Sequence, residues 1–266
     1  MRMNGCVNDK FSVRFDRGLY EHWQRRAKRW TKWARVKYSN LHLIPKSGPA
    51  VIACNHLNWK DVFFIGAMVP RPVSFAATVE LFDEALCHRM LNHYFDQYVR
   101  IPIVKEFIHS FNRRLAKFLV DRIPYSGAFA VKRQAHNRCF FEAAKSVLLQ
   151  NKLVCIFPEG GTGKPGQLRR LKQGATKIVY DLYLNGLKRI PVIPVGISGT
   201  HKFYHPGMLL QFHVGQPLYI DDFFIQSDKR ETLLRFTTAL SVALNGLSKP
   251  KATNAIKEII CFSHSF

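Results

Sequence analysis

Acidic residues are scarce in this sequence of 266 residues: 18 aspartates and glutamates stand against 40 lysines and arginines, a formal net charge of +22. An excess of this size predicts an anionic partner, either a nucleic acid, an anionic membrane surface or an acidic substrate. Charge alone does not distinguish among the three. Hydrophobic residues make up 47% of the chain, which excludes a disordered or low-complexity protein.

Paired cysteines and long apolar runs are also missing. The six cysteines are scattered, with no C-x-x-C pair and no zinc-finger spacing, which argues against a structural zinc site and for a reducing compartment. The longest apolar stretches, such as Val62–Val69 and Val192–Ile197, are far shorter than the roughly 20 residues that span a bilayer. The basic start lacks the apolar region of a secretory signal. We therefore expect a cytoplasmic protein that is peripheral on the cytoplasmic face of a membrane.

Predicted strands alternate with predicted helices along most of the chain. The clearest are the strands Ala50–Asn55, Leu153–Phe157 and Ile190–Ile197 and the helices Phe140–Gln150 and Asp228–Leu247. This alternation predicts an α/β fold with a mixed, largely parallel central sheet flanked by helices.

A basic amphipathic helix is predicted at Leu19–Tyr38. Three tryptophans fall on one of its faces and five cations on the opposite face. The tryptophan face would either lie at headgroup depth on an anionic membrane or pack on the rest of the protein. We accordingly divide the chain into this N-terminal helical segment (1–40), a main α/β domain (41–248) and a C-terminal tail (249–266).

The segment Asn55–Asp61 holds the first candidate for chemistry. His56 follows a predicted strand, and Asp61 stands in the first turn of the next predicted helix. A carboxylate on one imidazole nitrogen fixes the tautomer and leaves the other nitrogen as a base for a hydroxyl group. The alternative is structural: Asn58 and Asp61 would cap the helix, and His56 would be an ordinary loop histidine.

A glycine-rich loop, Phe157–Lys164, follows another predicted strand. Its backbone amides, with Lys164 nearby, are suited to receive a phosphate or an oxyanion. The loop is not a P-loop, because the Walker pattern requires Gly at Pro158 and Ser or Thr at Pro165. Lys172, at the start of the next predicted helix, would either extend the cationic site or be an ordinary solvated residue.

Four segments, taken in order, resemble the motifs of the phospholipid/glycerol acyltransferase family, whose best-known members are 1-acylglycerol-3-phosphate acyltransferases. Asn55–Asp61 matches the N-H-x-x-x-x-D motif and Phe157–Gly160 the F-P-E-G motif. Gly127–Arg133 matches an apolar run that ends in arginine, and Ile190–Val195 a proline-containing strand. Each motif alone is weak, but four in register, within roughly residues 43–218, are a specific signal.

The resemblance implies transfer of a fatty acyl group from an acyl thioester, acyl-CoA or acyl-carrier protein, to the hydroxyl of a lysophospholipid. The expected acceptor is 1-acylglycerol-3-phosphate, which would give phosphatidic acid; the alternatives are glycerol-3-phosphate and other lysolipids. The resemblance implies His56 as the general base, Asp61 as its orienting residue, and Arg133, Glu159 and Gly160 in the acceptor site. It makes 41–248 the catalytic domain and requires no metal or other cofactor.

The third motif departs from the family pattern. F-P-E-G usually continues with T-R, and that arginine grips the acceptor phosphate, whereas Gly161 and Thr162 stand in those places here. Lys164 is the nearest substitute in the sequence, and Arg169 or Arg170 is a more distant one.

The stretch between Phe82 and Gly127 is longer than the resemblance requires. It carries many cations among leucine, phenylalanine and tyrosine residues. Two interpretations are open: a membrane-facing insert, or a pair of helices decorated with charges.

A basic nucleic-acid-binding protein is the alternative from a different class. The net charge and the Trp/Arg-rich segment Trp23–Arg35 would suit it. It would not explain the F-P-E-G and N-H-x-x-x-x-D motifs, and no helix-turn-helix, zinc-finger or RNP pattern is present. A lipid-binding relative without activity is disfavoured, because His56 and Asp61 are both present. The expected partners are therefore an anionic membrane surface, the acyl donor and the lysophospholipid, and no nucleic acid.

Overall fold

A computed structural model describes residues 13–131, 138–187, 189–249 and 259–260. The chain forms two compact units. The smaller unit comprises Met1–Tyr20 and Ser74–Ala143, and the larger unit Glu21–Val73 and Ala144–Phe266. The predicted site residue Arg133 lies outside the described residues.

Strands and helices alternate in the described chain. In chain order the strands are β1 (Arg35–Ser39), β2 (Ala50–Cys54), β3 (Val73–Thr78), β4 (Phe129–Val131), β5 (Leu153–Ile156), β6 (Val192–Ser198), β7 (Leu209–Val214) and β8 (Ile259–Ile260). The helices are α1 (Arg17–Thr31), α2 (Lys60–Met68), α3 (Glu84–Asp96), α4 (Pro102–Arg122), α5 (Arg138–Leu149), α6 (Gly174–Leu184) and α7 (Lys229–Ser248).

The larger unit is built on a mixed sheet in the order β5-β2-β6-β7-β1-β8. Strand β2 pairs in parallel with β5 and β6, and β1 in parallel with β7. The pairs β6–β7 and β1–β8 are antiparallel. Every residue of β2 and β5 is buried, as their unbroken apolar sequences indicate. The predicted mixed, largely parallel α/β fold is confirmed.

Helix α7 approaches strand β6 very closely at Gly196. A Cβ atom at this position would collide with the carbonyl oxygen of Leu247. Only glycine leaves room for the helix backbone at this point of the strand.

The predicted N-terminal helix is shorter than expected. It ends at Thr31, and the prediction of helix as far as Tyr38 is wrong, because Arg35–Ser39 forms β1 and pairs with β7. The tryptophan face of α1 packs on the larger unit: the Trp23 ring lies 6.1 Å from that of Phe63, and the Trp30 ring 5.0 Å from that of Tyr204. Trp23 and Trp30 therefore pack on other side chains of the protein, which is the second of the two predicted alternatives.

The smaller unit contains the stretch between Phe82 and Gly127, which is longer than the family resemblance requires. That stretch contains α3 and α4, which pack against each other. Strands β3 and β4 pair in parallel, with Ala77 opposite Ala130. Phe82, Ala128 and Ala130 form a small buried cluster beside them. Within the described ranges, no helix combines the length and the apolar character needed to cross a bilayer.

Candidate active site

The ends of two neighbouring strands position the candidate site. Strands β2 and β5 are parallel, with Ala53 opposite Ile156, so their carboxyl ends lie at the same edge of the sheet. The loop that carries His56 follows β2, and the loop that carries Glu159 follows β5. Crevices at this edge are where open α/β sheets usually bind ligands.

His56 and Asp61 are in direct contact. The Nδ1 atom of His56 lies 2.7 Å from Oδ2 of Asp61, and the carboxylate is fully buried. The same oxygen accepts the backbone N–H groups of Leu57 at 2.6 Å and Asn58 at 2.9 Å. Asp61 therefore accepts hydrogen bonds from the amides that precede helix α2 and also binds the imidazole. The predicted N-cap at Asn58 is wrong, because the N-cap of α2 is Trp59, whose side chain makes no capping hydrogen bond.

This contact determines which imidazole nitrogen can act as a base. The carboxylate of Asp61 accepts a hydrogen bond from Nδ1–H of His56, so the Nε2 atom carries the lone pair. The imidazole also stacks on the ring of Phe157, with centroids 4.1 Å apart and planes inclined by 18°. A histidine held in this way is suited to take a proton from a hydroxyl group.

Asn55 ties the histidine loop to a third strand, β6. Its Nδ2 donates to the carbonyl oxygen of Ile197 at 3.0 Å, and its Oδ1 accepts the N–H of Ile197 at 2.7 Å. Both bonds are buried, so they hold the start of the loop rigidly. The sequence analysis assigned no role to this side chain, although Asn55 is the first residue of the N-H-x-x-x-x-D motif.

Glu159 holds backbone groups of both loops. Its Oε1 atom accepts the N–H of His56 at 3.0 Å, and Oε2 accepts the N–H of Arg169 at 2.9 Å. The N–H of Gly163 in turn donates to the carbonyl oxygen of His56 at 2.7 Å. The family resemblance implies that Glu159 lies in the acceptor site; in the structure its buried carboxylate accepts these two amides.

Gly160 is required by both backbone conformation and space. Its φ is +69°, and a Cβ atom there would lie 2.7 Å from Cε and Nζ of Lys172. The N–H of Lys172 donates to the carbonyl oxygen of Pro158 at 2.7 Å, which brings this predicted site residue against the glycine-rich loop. The two predicted residues Gly160 and Lys172 are thus neighbours.

Arg169 lies beside the position where the family's arginine is missing. Its Nη1 atom donates to the carbonyl oxygen of Thr162 at 3.3 Å, and a Cβ atom on Gly161 would lie 3.3 Å from the same nitrogen. Lys164 is exposed in the same loop, and its carbonyl oxygen accepts the N–H of Gln167 at 3.1 Å. In the sequence Arg169 is only a distant substitute, because its proximity to Gly161 depends on the folding of the loop.

Burial and nearby groups shift the pKa values of Cys54 and His201. Burial raises the pKa of the Cys54 thiol well above its usual range, and electrostatic interactions with Cys155, Asp61 and Glu159 add to the increase. Burial lowers the pKa of His201; Lys202 and Lys60 lower it further, whereas Asp61 raises it. Cys54 is therefore an unreactive thiol despite its place next to the histidine loop.

The chain is similar to known acyltransferases. The family model described as Acyltransferase matches residues 35–198. A 1-acyl-sn-glycerol-3-phosphate acyltransferase from Bacillus subtilis (strain 168) is 25% identical over 216 residues, which cover 80% of this chain and 87% of that protein. A protein of the same name from Cocos nucifera is 24% identical over 160 residues, which cover 60% of this chain but only 41% of that protein.

A solved structure shows the same fold. The crystal structure of the 1-acyl-sn-glycerophosphate (LPA) acyltransferase PlsC from Thermotoga maritima matches with a TM-score of 0.50 at 16% identity. The match covers 86% of this chain and 79% of that one. The family model spans more than half of the present sequence and includes both loops of the site. The chain therefore belongs to the acyltransferase family, as its resemblance to the phospholipid/glycerol acyltransferases predicted.

Proposed function

We propose that this acyltransferase transfers a fatty acyl group from an acyl thioester to the hydroxyl of a lysophospholipid, with 1-acylglycerol-3-phosphate as the acceptor and phosphatidic acid as the product. The observation that carries the proposal is the 2.7 Å contact between Nδ1 of His56 and the buried carboxylate of Asp61. The acceptor is supported by two relatives named 1-acyl-sn-glycerol-3-phosphate acyltransferase.

In the proposed reaction His56 is the general base. Its Nε2 takes the proton of the acceptor hydroxyl as the oxygen attacks the thioester carbonyl, and a tetrahedral oxyanion forms. When the oxyanion collapses, the C–S bond breaks, and the imidazolium returns its proton to the leaving thiolate. Asp61 holds the ring and stabilises its transient positive charge. General-base assistance of this kind contributes about 10²–10⁴ in rate.

Cations of the glycine-rich loop and its continuation would bind the acceptor phosphate. Lys172 lies against Gly160, and Arg169 lies against Gly161; Lys164 is exposed in the same loop. A guanidinium group binds phosphate oxygens through two parallel N–H donors, so we assign to Arg169 the role of the arginine missing at Thr162. Glu159 acts as a positioning residue for His56. Arg133 is also proposed to bind the acceptor, because Gly127–Arg133 matches the family motif.

The acyl donor would be acyl-CoA or an acylated carrier protein. Both present a thioester on an acidic molecule, and the net charge of +22 would favour the approach of either one. Because the proposed acceptor and product are membrane lipids, the enzyme would work as a peripheral protein on the cytoplasmic face of an anionic membrane.

Product analysis tests the proposal. Purified protein is incubated with radiolabelled acyl-CoA or acyl-carrier protein and, in separate reactions, with 1-acylglycerol-3-phosphate, glycerol-3-phosphate and lysolipids of other head groups. We expect labelled phosphatidic acid in the first reaction and none with the His56→Ala protein. Labelling only of an acceptor without a phosphomonoester would overturn the assignment of the acceptor, and no transfer with any of them would overturn the reaction.

A further inference from the structure

The helices α3 and α4 of the smaller unit are polar where they meet. Asn112 is fully buried, and its Nδ2 donates to Oδ1 of Asn92 at 2.8 Å. Nε2 of His109 lies 2.9 Å from Oδ1 of Asp96, and Nε2 of His88 lies 3.0 Å from the carbonyl oxygen of His109. Two hydrogen bonds between side chains and one to a backbone carbonyl therefore link the two helices.

The outer face of α4 is apolar. Ile103, Phe107 and Phe111 are exposed by 81%, 77% and 57%. Val104 and Phe118 are exposed beside them. At 100° per residue these five side chains fall within an arc of about 100°, opposite to the buried Asn112. We call this set the outer face of α4.

Helix α4 buries Asn112 and Ala116 and exposes its phenylalanines. A helix in water usually buries its apolar stripe instead. An exposed contiguous apolar surface of this kind marks an interaction site. From Ile103 to Phe118 the stripe is roughly 22 Å long at 1.5 Å per residue.

The charges around the outer face favour one occupant. Helix α4 carries five lysines and arginines but only two acidic residues. Lys117 is exposed near one edge of the outer face, Arg114 is exposed within it, and the exposed Asp121 lies at its margin. Cations next to apolar side chains match the interface of an anionic bilayer, where phosphates lie above the acyl chains. A second copy of this chain would instead bring like charges together.

We propose that the outer face of α4 docks in the plane of an anionic membrane surface. Phe107 and Phe111 enter the boundary between headgroups and acyl chains, about 5–10 Å deep, and Arg114 and Lys117 meet the lipid phosphates. Two membrane contacts were open from the sequence, the tryptophan face of α1 and the stretch that contains α4. Trp23 and Trp30 pack on the protein, which favours α4. The inference rests on the proposed function in one respect: an enzyme whose acceptor is a membrane lipid must reach the membrane surface.

Vesicle flotation of the full-length protein tests this surface. The vesicles contain phosphatidylglycerol mixed with phosphatidylcholine, or phosphatidylcholine alone. The doubly substituted variant Phe107→Ser/Phe111→Ser is compared with Leu234→Ser/Val242→Ser, which removes two side chains of α7 that are exposed by 52% and 70%. We expect the first variant to lose at least tenfold in partitioning to anionic vesicles, and the control to bind like the wild type. Added salt should weaken wild-type binding. Circular dichroism verifies that both variants fold.

Two outcomes would overturn the proposal. One is undiminished flotation of the folded Phe107→Ser/Phe111→Ser protein. The other is a wild-type dimer in sedimentation without vesicles that becomes a monomer in this variant while vesicle binding is unchanged, because the outer face would then bind a second copy.

A second measurement separates this proposal from the proposed function. Acylation of a short-chain, monomerically dissolved acceptor should proceed at the wild-type rate in the variant, because its catalytic residues are intact. The wild type could acylate no acceptor while the Phe107→Ser/Phe111→Ser variant loses vesicle binding. The proposed function would then fail, and the docking surface would stand. If the wild type acylates an acceptor and the substitutions leave flotation unchanged, the docking surface fails and the proposed function stands.

Discussion

The backbone N–H of His56 donates to Oε1 of Glu159 at 3.0 Å, although the two residues are 103 positions apart in the sequence. The bond joins the N-H-x-x-x-x-D loop to the F-P-E-G loop. Because Gly163 donates to the carbonyl oxygen of His56 at 2.7 Å, the backbone of His56 is held from both sides. Asp61 then orients the ring. Two loops from neighbouring parallel strands thus determine the position of one imidazole.

Removal of the proposed base should abolish most of the activity. We expect His56→Ala to lower kcat by about 10²–10⁴ without loss of the fold. Asp61→Asn should cause comparable damage, because an amide can favour the wrong imidazole tautomer. The measurement is steady-state acyl transfer together with a thermal melt. The control, His205→Ala, removes an exposed imidazole and should leave kcat unchanged; near-normal turnover in folded His56→Ala protein would falsify the mechanism.

The carboxylate of Glu159 should matter for both stability and rate. In Glu159→Gln the side-chain NH₂ group would face one of the two backbone N–H groups that the carboxylate accepts. We expect a loss of about 1–3 kcal/mol in the free energy of unfolding, and a lower kcat because His56 is less well held. Denaturant titration and kinetics test this. Glu231→Gln, which removes a partly exposed carboxylate paired with Arg235, should cost at most about 0.5 kcal/mol.

The space above Gly160 should be needed to keep Lys172 in place. Gly160→Ala introduces a methyl group at φ +69° and pushes the Lys172 side chain away, whereas Gly48→Ala has a similar φ of +79° with no described atom within 4 Å. Both variants should lose about 1 kcal/mol of stability. Only Gly160→Ala should also raise the KM for the phosphorylated acceptor. Equal KM values in the two variants would show that Lys172 does not bind the acceptor.

Arg169 should contribute more to acceptor binding than its neighbours in the sequence. Arg169→Ala should raise the KM for 1-acylglycerol-3-phosphate about tenfold or more, with a smaller effect on kcat, since a charge-assisted bond contributes about 1.5–3 kcal/mol. Lys164→Ala should have a smaller effect of the same kind, and Arg170→Ala almost none. Unchanged KM values for both Arg169→Ala and Lys164→Ala would indicate an acceptor with a different head group.

Cys54 should be dispensable for the reaction. Burial raises the pKa of its thiol well above the usual range, so at neutral pH the sulfur stays protonated and is not a nucleophile. We expect Cys54→Ala to keep kcat within a fewfold of the wild type, and iodoacetamide to leave Cys54 unmodified in the native protein at pH 7. Peptide mass spectrometry, with the denatured protein as the reactive control, measures this. Rapid alkylation of Cys54 that runs parallel to inactivation would contradict the prediction.

Much of the fold could be predicted because its signals are local. The apolar run of β2 is unbroken, and helices such as α7 repeat their apolar residues every three to four positions. The central strands and the clearest helices follow from these patterns, and so does the candidate pair His56 and Asp61, which are only five positions apart. The helical pattern extends to Tyr38, whereas the strand Arg35–Ser39 depends on pairing with β7, a contact that no local pattern records.

The sequence by itself determined the α/β class, the strands β2, β5 and β6, the helices α5 and α7, and the residue types available for acyl transfer, because these depend on neighbours along the chain. Only the tertiary structure decided that Glu159 binds the backbone of His56 and that Arg169 lies beside Gly161. It also decided that the phenylalanines of α4 point away from α3. Each of these depends on which segments pack together, and packing is determined by burial and hydrogen bonding among residues that are distant in the sequence.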